Sequence, residues 1–350
     1  VSVDFGRGIL VCFLGILAFH GKLSISILFI SQIAISIMDS LFNSSSSAII
    51  GELLEEDELM RAMSVRGGLD AFSYIIGPAL GGVIYGFIGI KAVFLINGAS
   101  FFISGITAIF MIYKCKNHKH QKMTVTLFLK ENVDVLKYIK SNIGLMQLFT
   151  FAMISNLLVE PLLDIIFPYT IKKGLGFSSQ QYGYLISTFT LGILIGNVVL
   201  SLLSNKVETK KVMNSGLIVE TVMFFGLSVV VFPKSASFLG GNSWILFSVL
   251  AFICLTIGAF NACVNTPINT NLQKMVKNDM RSRFFSFLEM FSQGAVPLGS
   301  IVYGVLLDRF KYYDILFAVM IINALSIIVF MYIASDEVYT PGVQNLPDGN

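Results

Sequence analysis

The sequence predicts an all-α membrane protein whose helices fall into two parallel bundles, and three observations predict it. The composition is wrong for a water-soluble fold of 350 residues, with 55% hydrophobic and 13% charged side chains. That is about half the charged share of ordinary soluble domains, and mean hydropathy is +0.78. Apolar stretches long enough to cross a bilayer recur from end to end. Motifs before a basic linker return after it at a nearly constant offset.

Ten spans are expected, over residues 8–21, 23–47, 68–87, 91–113, 145–169, 181–203, 212–232, 243–270, 284–307 and 313–334. The first is short, with Asp4 and Arg7 immediately before it. The second and eighth are overlong and end in polar runs, Asn43-Ser44-Ser45-Ser46-Ser47 and Asn265-Thr266-Pro267-Ile268-Asn269-Thr270-Asn271, which continue a helix toward water. The third carries a Gly-Pro, and the fifth carries Glu160, Pro161 and Asp164. Between the fourth and fifth lies a long basic linker, 114–143. Its stripe of Val125, Leu129, Val133, Leu136, Tyr138 and Ile139 predicts an amphipathic helix along the headgroups, with a frayed tether as the alternative. Residues 335–350 hold Pro, Gly and acidic residues without an apolar period and are expected to be a disordered tail.

Lys and Arg set the orientation. The side holding the N-terminus carries 17 of them and the opposite side 7. Both termini and the linker are therefore expected in the cytoplasm, and membrane lipid is a partner by construction.

Other classes are poorly supported. A net charge of +3 spread over loops gives no case for nucleic acid. Cys12, Cys115, Cys254 and Cys263 form no CxxC pair, and His118 and His120 stand in a basic loop without a carboxylate or thiol beside them. No metal site, cofactor or enzymatic constellation is expected.

The repeat pairs Gly77-Pro78-Ala79-Leu80-Gly81 and Tyr85-Gly86 with Val296-Pro297-Leu298-Gly299 and Tyr303-Gly304, at offsets of 219 and 218 residues. Met60-Arg61 pairs with Met280-Arg281 at 220. Six spans follow the linker and four precede it. Projecting the start of the second half back by the same offset lands roughly 75 residues before Val1, so two helices of an ancestral twelve are expected to be absent. The domains are then 1–113, a truncated bundle of ancestral helices 3–6; 114–143, the linker; 144–334, a six-helix bundle; and 335–350, the tail.

The stretch from Met38-Asp39-Ser40-Leu41-Phe42-Asn43 through Glu58-Leu59-Met60-Arg61-Ala62 to Ile76-Gly77-Pro78-Ala79-Leu80-Gly81-Gly82 resembles the major facilitator superfamily. Within it, the likeness is to exporters of the macrolide efflux and enterobactin exporter group, and it extends over residues 2–334. The resemblance implies the major facilitator fold and a monomeric exporter of a small amphipathic substrate in the bacterial cytoplasmic membrane, exchanging it for protons. Uptake by the same fold and a non-transporting sensor or assembly partner are the other readings. It also implies that Ser73, Gly77, Pro78, Gly81 and Gly82 are the antiporter motif. Pro78 removes a backbone donor and bends the helix, and the small residues admit close helix contact. The family's cytoplasmic Gly-x-x-x-Asp-Arg-x-Gly-Arg loop is incomplete here. Asp4-Phe5-Gly6-Arg7-Gly8 resembles the segment just after its first copy, and in the second copy the acidic position is Ser204 or Asn205. Asp4, Arg7 and Asp39 are accordingly candidates for gating.

No nucleotide-binding loop is present, so proton exchange at carboxylates held in low dielectric is the expected energy source. Glu160 and Asp164 are the first candidates, being four residues apart on one face beside Pro161, with Asn156 a further turn back. Glu289 and Asp70 are secondary, Asp70 and Asp39 suiting a gate equally well. Glu220 lies on a helix that usually packs peripherally in the resembled fold and ranks low. The substrate cavity is expected to use Tyr74, Phe149, Asn156, Tyr184, Asn261 and Asn265. Asn261, Asn265 and Asn269 make a polar stripe at i, i+4 and i+8; interhelical hydrogen bonding is the alternative role for it.

The charge count generates a topology test. Lys119→Cys is expected to react with a membrane-impermeant thiol reagent only after the cells are opened. Labelling from outside intact cells would reverse the orientation.

Overall fold

The computed structural model describes residues 1–53, 69, 72–73, 76–110, 125–203, 207–277 and 280–340. The chain divides into two compact units, Val1–Gln121 and Lys122–Asn350. Both are helical. Among the described residues eight helices are long and apolar enough to cross a membrane. The second and third predicted spans are not among the eight. Their described apolar helices, Ile25–Asp39 and Ile76–Ile88, are shorter.

The first unit holds α1 (Ser2–Phe19), α2 (Ile25–Leu53), α3 (Ile76–Ile88) and α4 (Ile90–Ile109). Gly89, at φ +85°, allows the reversal between α3 and α4. α1 and α4 run antiparallel in close contact. Gly8 faces Phe102, Gly15 faces Phe94, Gly98 faces Cys12 and Gly105 faces Phe5. Each helix thus offers small residues seven apart, and the larger side chains of its neighbour fill the gaps. The first span starts at Ser2 rather than residue 8, which places Asp4 and Arg7 inside the helix.

The second unit runs through α5 (Val125–Ser141), α6 (Ile143–Pro161), α7 (Ser179–Leu203), α8 (Thr209–Val230), α9 (Pro233–Phe238), α10 (Trp244–Met275), α11 (Arg281–Arg309), α12 (Tyr312–Ile333) and α13 (Asp336–Tyr339). Side-chain caps start two of the long helices. Asn142 accepts from the Leu145 amide at 2.9 Å and Ser243 from the Leu246 amide at 3.2 Å. α7 and α10 run the same way at backbone contact. A Cβ added at Gly192, Gly196 or Gly258 would meet the Leu255, Ala259 or Phe189 carbonyl oxygen respectively. Without a hydrophobic drive between helices in lipid, such close approach is a main source of their association.

One expectation, that of the tail, is corrected here. α5, which occupies the place of the predicted linker helix, packs on the bundle. Val135 and Ile139 are buried, and the Tyr138 hydroxyl donates to the Met275 carbonyl at 2.9 Å. Val133 and Leu136, which fall on the same predicted stripe, are exposed on the other face; the side chains of Val125 and Leu129 lie outside the described residues. A helix that meets a complementary bundle end buries the face that fits it, whatever its own apolar period. Residues 335–340, expected in a disordered tail, are folded against the bundle, and residues 341–350 of that expectation lie outside the described residues. Val338 and Tyr339 are buried, Asn271 donates to both of their carbonyls, and Lys210 pairs with Asp336 at 3.0 Å. Gln147 closes the end of α12, donating to the Ile333 carbonyl and accepting from the Ser335 amide. Buried polar contacts hold a segment too short and polar to show an apolar period.

The α7–α10 contact predicts a contrast between two glycines. Gly258→Leu must push backbone away from backbone and is expected to cost about 3 kcal/mol or more. Gly226, with open space where a Cβ would go, should accept Ala at no cost or gain up to about 1 kcal/mol. Unfolding midpoints of the two purified variants check this.

Candidate functional site

The site grows from a break in one helix. Pro161 has no amide hydrogen, so the Leu157 carbonyl loses its helical partner. The Leu162 amide bonds to Val159, which also frees the Leu158 carbonyl. The chain widens into a π-helical turn, Leu162–Ile166, passes through Phe167–Tyr169 and widens again at Thr170–Gly174. α11 repairs the first break. The Tyr303 hydroxyl donates to the Leu158 carbonyl at 2.8 Å. Gly299 comes up to the Leu157 carbonyl so closely that a Cβ there would stand 2.6 Å from it.

Glu160 precedes this break and Asp164 lies in the widened turn. The two remain close enough for their charges to interact. Both are exposed, but only Glu160 lines the adjoining cavity. This cavity, of about 140 Å³, has walls from α6, α8, α10 and α12. Its polar lining is Ser155, Asn156, Glu160, Glu220, Asn261, Asn265 and Asn323, set against apolar groups that include Phe151, Phe224 and Ile327. A chain of hydrogen bonds crosses the wall. Asn265 Nδ2 donates to Asn261 Oδ1 at 2.9 Å, and Asn261 Nδ2 donates to Glu220 Oε1 at 3.1 Å. Glu220 is only 9% exposed. Pockets for drug-sized ligands run ~300–1,000 Å³. This cavity instead has room for several waters.

The predicted residues divide accordingly. Asn156, Glu160, Asn261 and Asn265 meet at the cavity. Phe149 does not; it packs with Phe287 at 5.9 Å and Phe291 at 6.4 Å. Tyr184 is 42% exposed and Glu289 is exposed, neither of them lining the cavity. Asp70 and Tyr74 lie outside the described residues. Sequence reasoning ranks Glu220 low because it assigns the helix to the periphery. The separation of 41 residues from Glu220 to Asn261 hides the pairing; an acidic residue midway along an apolar span is the available signal.

The first unit gathers its own charges. Arg7 and Asp4 are 4% and 1% exposed. Arg7 Nη2 stands 2.9 Å from Asp39 Oδ1 and donates to the Met38 carbonyl at 2.9 Å, while Asp4 lies 3.9 Å from Nη1. The guanidinium also stands over the Phe42 ring at 4.6 Å. Asp4, Arg7 and Asp39 therefore form one cluster tying α1 to α2. Of the antiporter stretch, Ser73 is exposed, and Gly77, Pro78, Gly81 and Gly82 lie in α3. No described atom comes within 4 Å of a Cβ built at Gly77 or Gly81.

A family profile described as transmembrane secretion effector matches residues 9–340. Macrolide efflux protein A of Streptococcus pyogenes is 22% identical over 300 residues, which span 85% of this chain and 70% of that protein. Macrolide efflux protein A of Enterococcus faecalis is 22% identical over 286 residues, 82% of this chain and 84% of that protein. The multi-drug resistance efflux pump PmrA homolog of Lactococcus lactis is 22% identical over 260 residues, 74% and 60% respectively. Among solved structures, an inward-facing bacterial homolog of the human lysosomal transporter Spinster gives a TM-score of 0.61 at 11% identity, covering 97% of this chain and 82% of that one. A POT family peptide transporter gives 0.58 at 13% identity, covering 93% and 81%. These likenesses show the fold.

The bond across the α6 break yields a prediction. Tyr303→Phe leaves the Leu158 carbonyl without its donor and should cost about 1–3 kcal/mol. Tyr332→Phe, at an 89% exposed position, should leave the unfolding midpoint unchanged. Equal midpoints for both variants would remove Tyr303 from the support of the break.

Proposed function

Because the chain belongs to the transmembrane secretion effector family of the major facilitator superfamily, it is a multi-pass membrane transporter of the efflux type and not an enzyme, and we propose that it exports an amphipathic, drug-like small molecule by alternating access in exchange for protons. The observation that carries the proposal is the match of most of the chain to macrolide efflux proteins from two organisms. A multidrug efflux pump homolog among the relatives supports a substrate class broader than one compound.

The proton half of the proposal is supported by chemistry inside the C-terminal unit. Glu160 stands at a break in a spanning helix, beside a small polar cavity, with Asp164 in the widened turn that follows. A carboxyl placed so can take a proton from one side and release it to the other as the helix around it rearranges. In this reading the Arg7–Asp39 pair closes the cytoplasmic end of the first unit, and the bend at Pro78 lets α3 move between states. The working orientation keeps both termini in the cytoplasm, and the working unit is a monomer.

Proteoliposomes with a pH gradient and a labelled macrolide provide the test. The wild-type protein is expected to accumulate the macrolide against its gradient and to move protons the opposite way. Glu160→Gln should abolish that accumulation and leave downhill exchange intact, since the amide keeps shape and hydrogen-bonding capacity without the titrating proton. Asp164→Asn should do the same if the two carboxyls titrate as a unit. Substrate movement with no proton flux in the wild type would exclude antiport.

A further inference from the structure

We propose that Glu220 is a second proton-binding residue, taking up and releasing a proton within the cavity that it shares with Glu160. The inference deepens the antiport reading above and rests on it for its physiological use. The proton site itself stands on geometry.

Glu220 lies midway along α8, a membrane-spanning helix, and is nine-tenths buried. Asn261 is its only hydrogen-bonding partner among the described residues, and that bond engages Oε1. The other oxygen is left for the cavity. Among the described residues no lysine, arginine or histidine lines the cavity. From the elements packed on α8, the groups that face Glu220 are Asn261 and Asn265 of α10 and Asn323 of α12, with Glu160 and Asn156 of α6 completing the polar wall. Lys234 of α9 is exposed and does not reach the cavity, and Lys210 is engaged by Asp336 at the cytoplasmic end.

The energetics favour a neutral carboxyl. Holding a carboxylate away from bulk water costs more, even after relaxation, than a single hydrogen bond to it returns. A second carboxyl on the same small cavity deepens the mismatch, because both cannot be ionised cheaply. A proton held there is also exchangeable, since the cavity has room for water and opens beside the exposed Glu160 and Asn265. The competing role is plain interhelical adhesion through Asn261. Adhesion needs only an acceptor, and glutamine would provide one without the desolvation cost of a carboxylate. What glutamate adds is the proton.

Infrared spectra of the purified protein, recorded as pH is raised through neutrality, test the site directly. A protonated carboxylic C=O band is expected near neutral pH, disappearing on alkalinisation. The component that belongs to Glu220 should be lost in Glu220→Gln and retained in Glu160→Gln. A band unaffected by Glu220→Gln would overturn the proposal. Should that variant fail to assemble, Glu220→Asp keeps the titrating group and should shift the band; an unshifted band would overturn the proposal equally. In proteoliposomes Glu220→Gln should retain exchange of labelled for unlabelled macrolide but lose proton movement at least tenfold, and undiminished proton movement would remove Glu220 from the cycle. A Glu220-dependent band in a wild-type protein that moves no protons with substrate would sustain the proton site while overturning antiport.

Discussion

Inside a bilayer no water is available to take a backbone carbonyl that a helix has let go, and much of the C-terminal unit is arranged around one such release. Pro161 interrupts the ladder of α6. Tyr303 and Gly299 approach from α11 to take the Leu158 oxygen and to come up to the Leu157 oxygen. With that support the helix widens into π turns and continues to Gly174, giving a 32-residue span, Ile143–Gly174. At 1.5 Å per residue this would reach ~48 Å, well beyond the ~30 Å hydrocarbon layer. Glu160 owes its position to the same break. Two residues of the repeated Val-Pro-Leu-Gly…Tyr motif thus acquire a specific physical task in the second half of the chain.

The core of this unit is divided accordingly. One apolar cluster gathers around Leu162, Phe167, Leu250 and Leu316, and another around Leu145, Met213, Leu272 and Val338. Phe224 of the first cluster and Phe151, Leu217 and Val264 of the second line the polar cavity. A continuous apolar core would be more stable than one interrupted by glutamate and asparagine side chains. The interruption therefore points to function, and its volume admits several waters. The first unit solves a related problem differently: Arg7 is carried into the helix because Asp39, a backbone carbonyl and an aromatic face surround it.

Much of the fold is legible in the order of the residues. Hydropathy locates eight of the spans, seven of them closely, since burial in lipid acts on each segment by itself. It misjudges the start of α1, because Asp4 and Arg7 look like the end of a hydrophobic stretch until their partners are known. It misjudges residues 335–340 for the same kind of reason: they are held by surfaces contributed from distant parts of the chain. At the candidate site, Glu160 and Asn156 are legible from helical spacing. So is the polar stripe of Asn261 and Asn265, which in lipid has to face protein.

By itself the sequence determined that this is a helical membrane protein, where most of its helices lie, and which family it resembles. Those features depend on composition and on periods of a few residues, and they survive without knowledge of which helices touch. The tertiary structure alone decided which carboxyl is buried and which stands in the open. Glu160, Asp164, Glu220 and Glu289 are all acidic residues in apolar surroundings along the chain. They differ only in what other helices bring to them: a carbonyl break and a cavity mouth for Glu160, exposure for Asp164 and Glu289, and for Glu220 an amide 41 residues away. The cost of a charge depends on its surroundings in space, and those surroundings are assembled only when the helices pack.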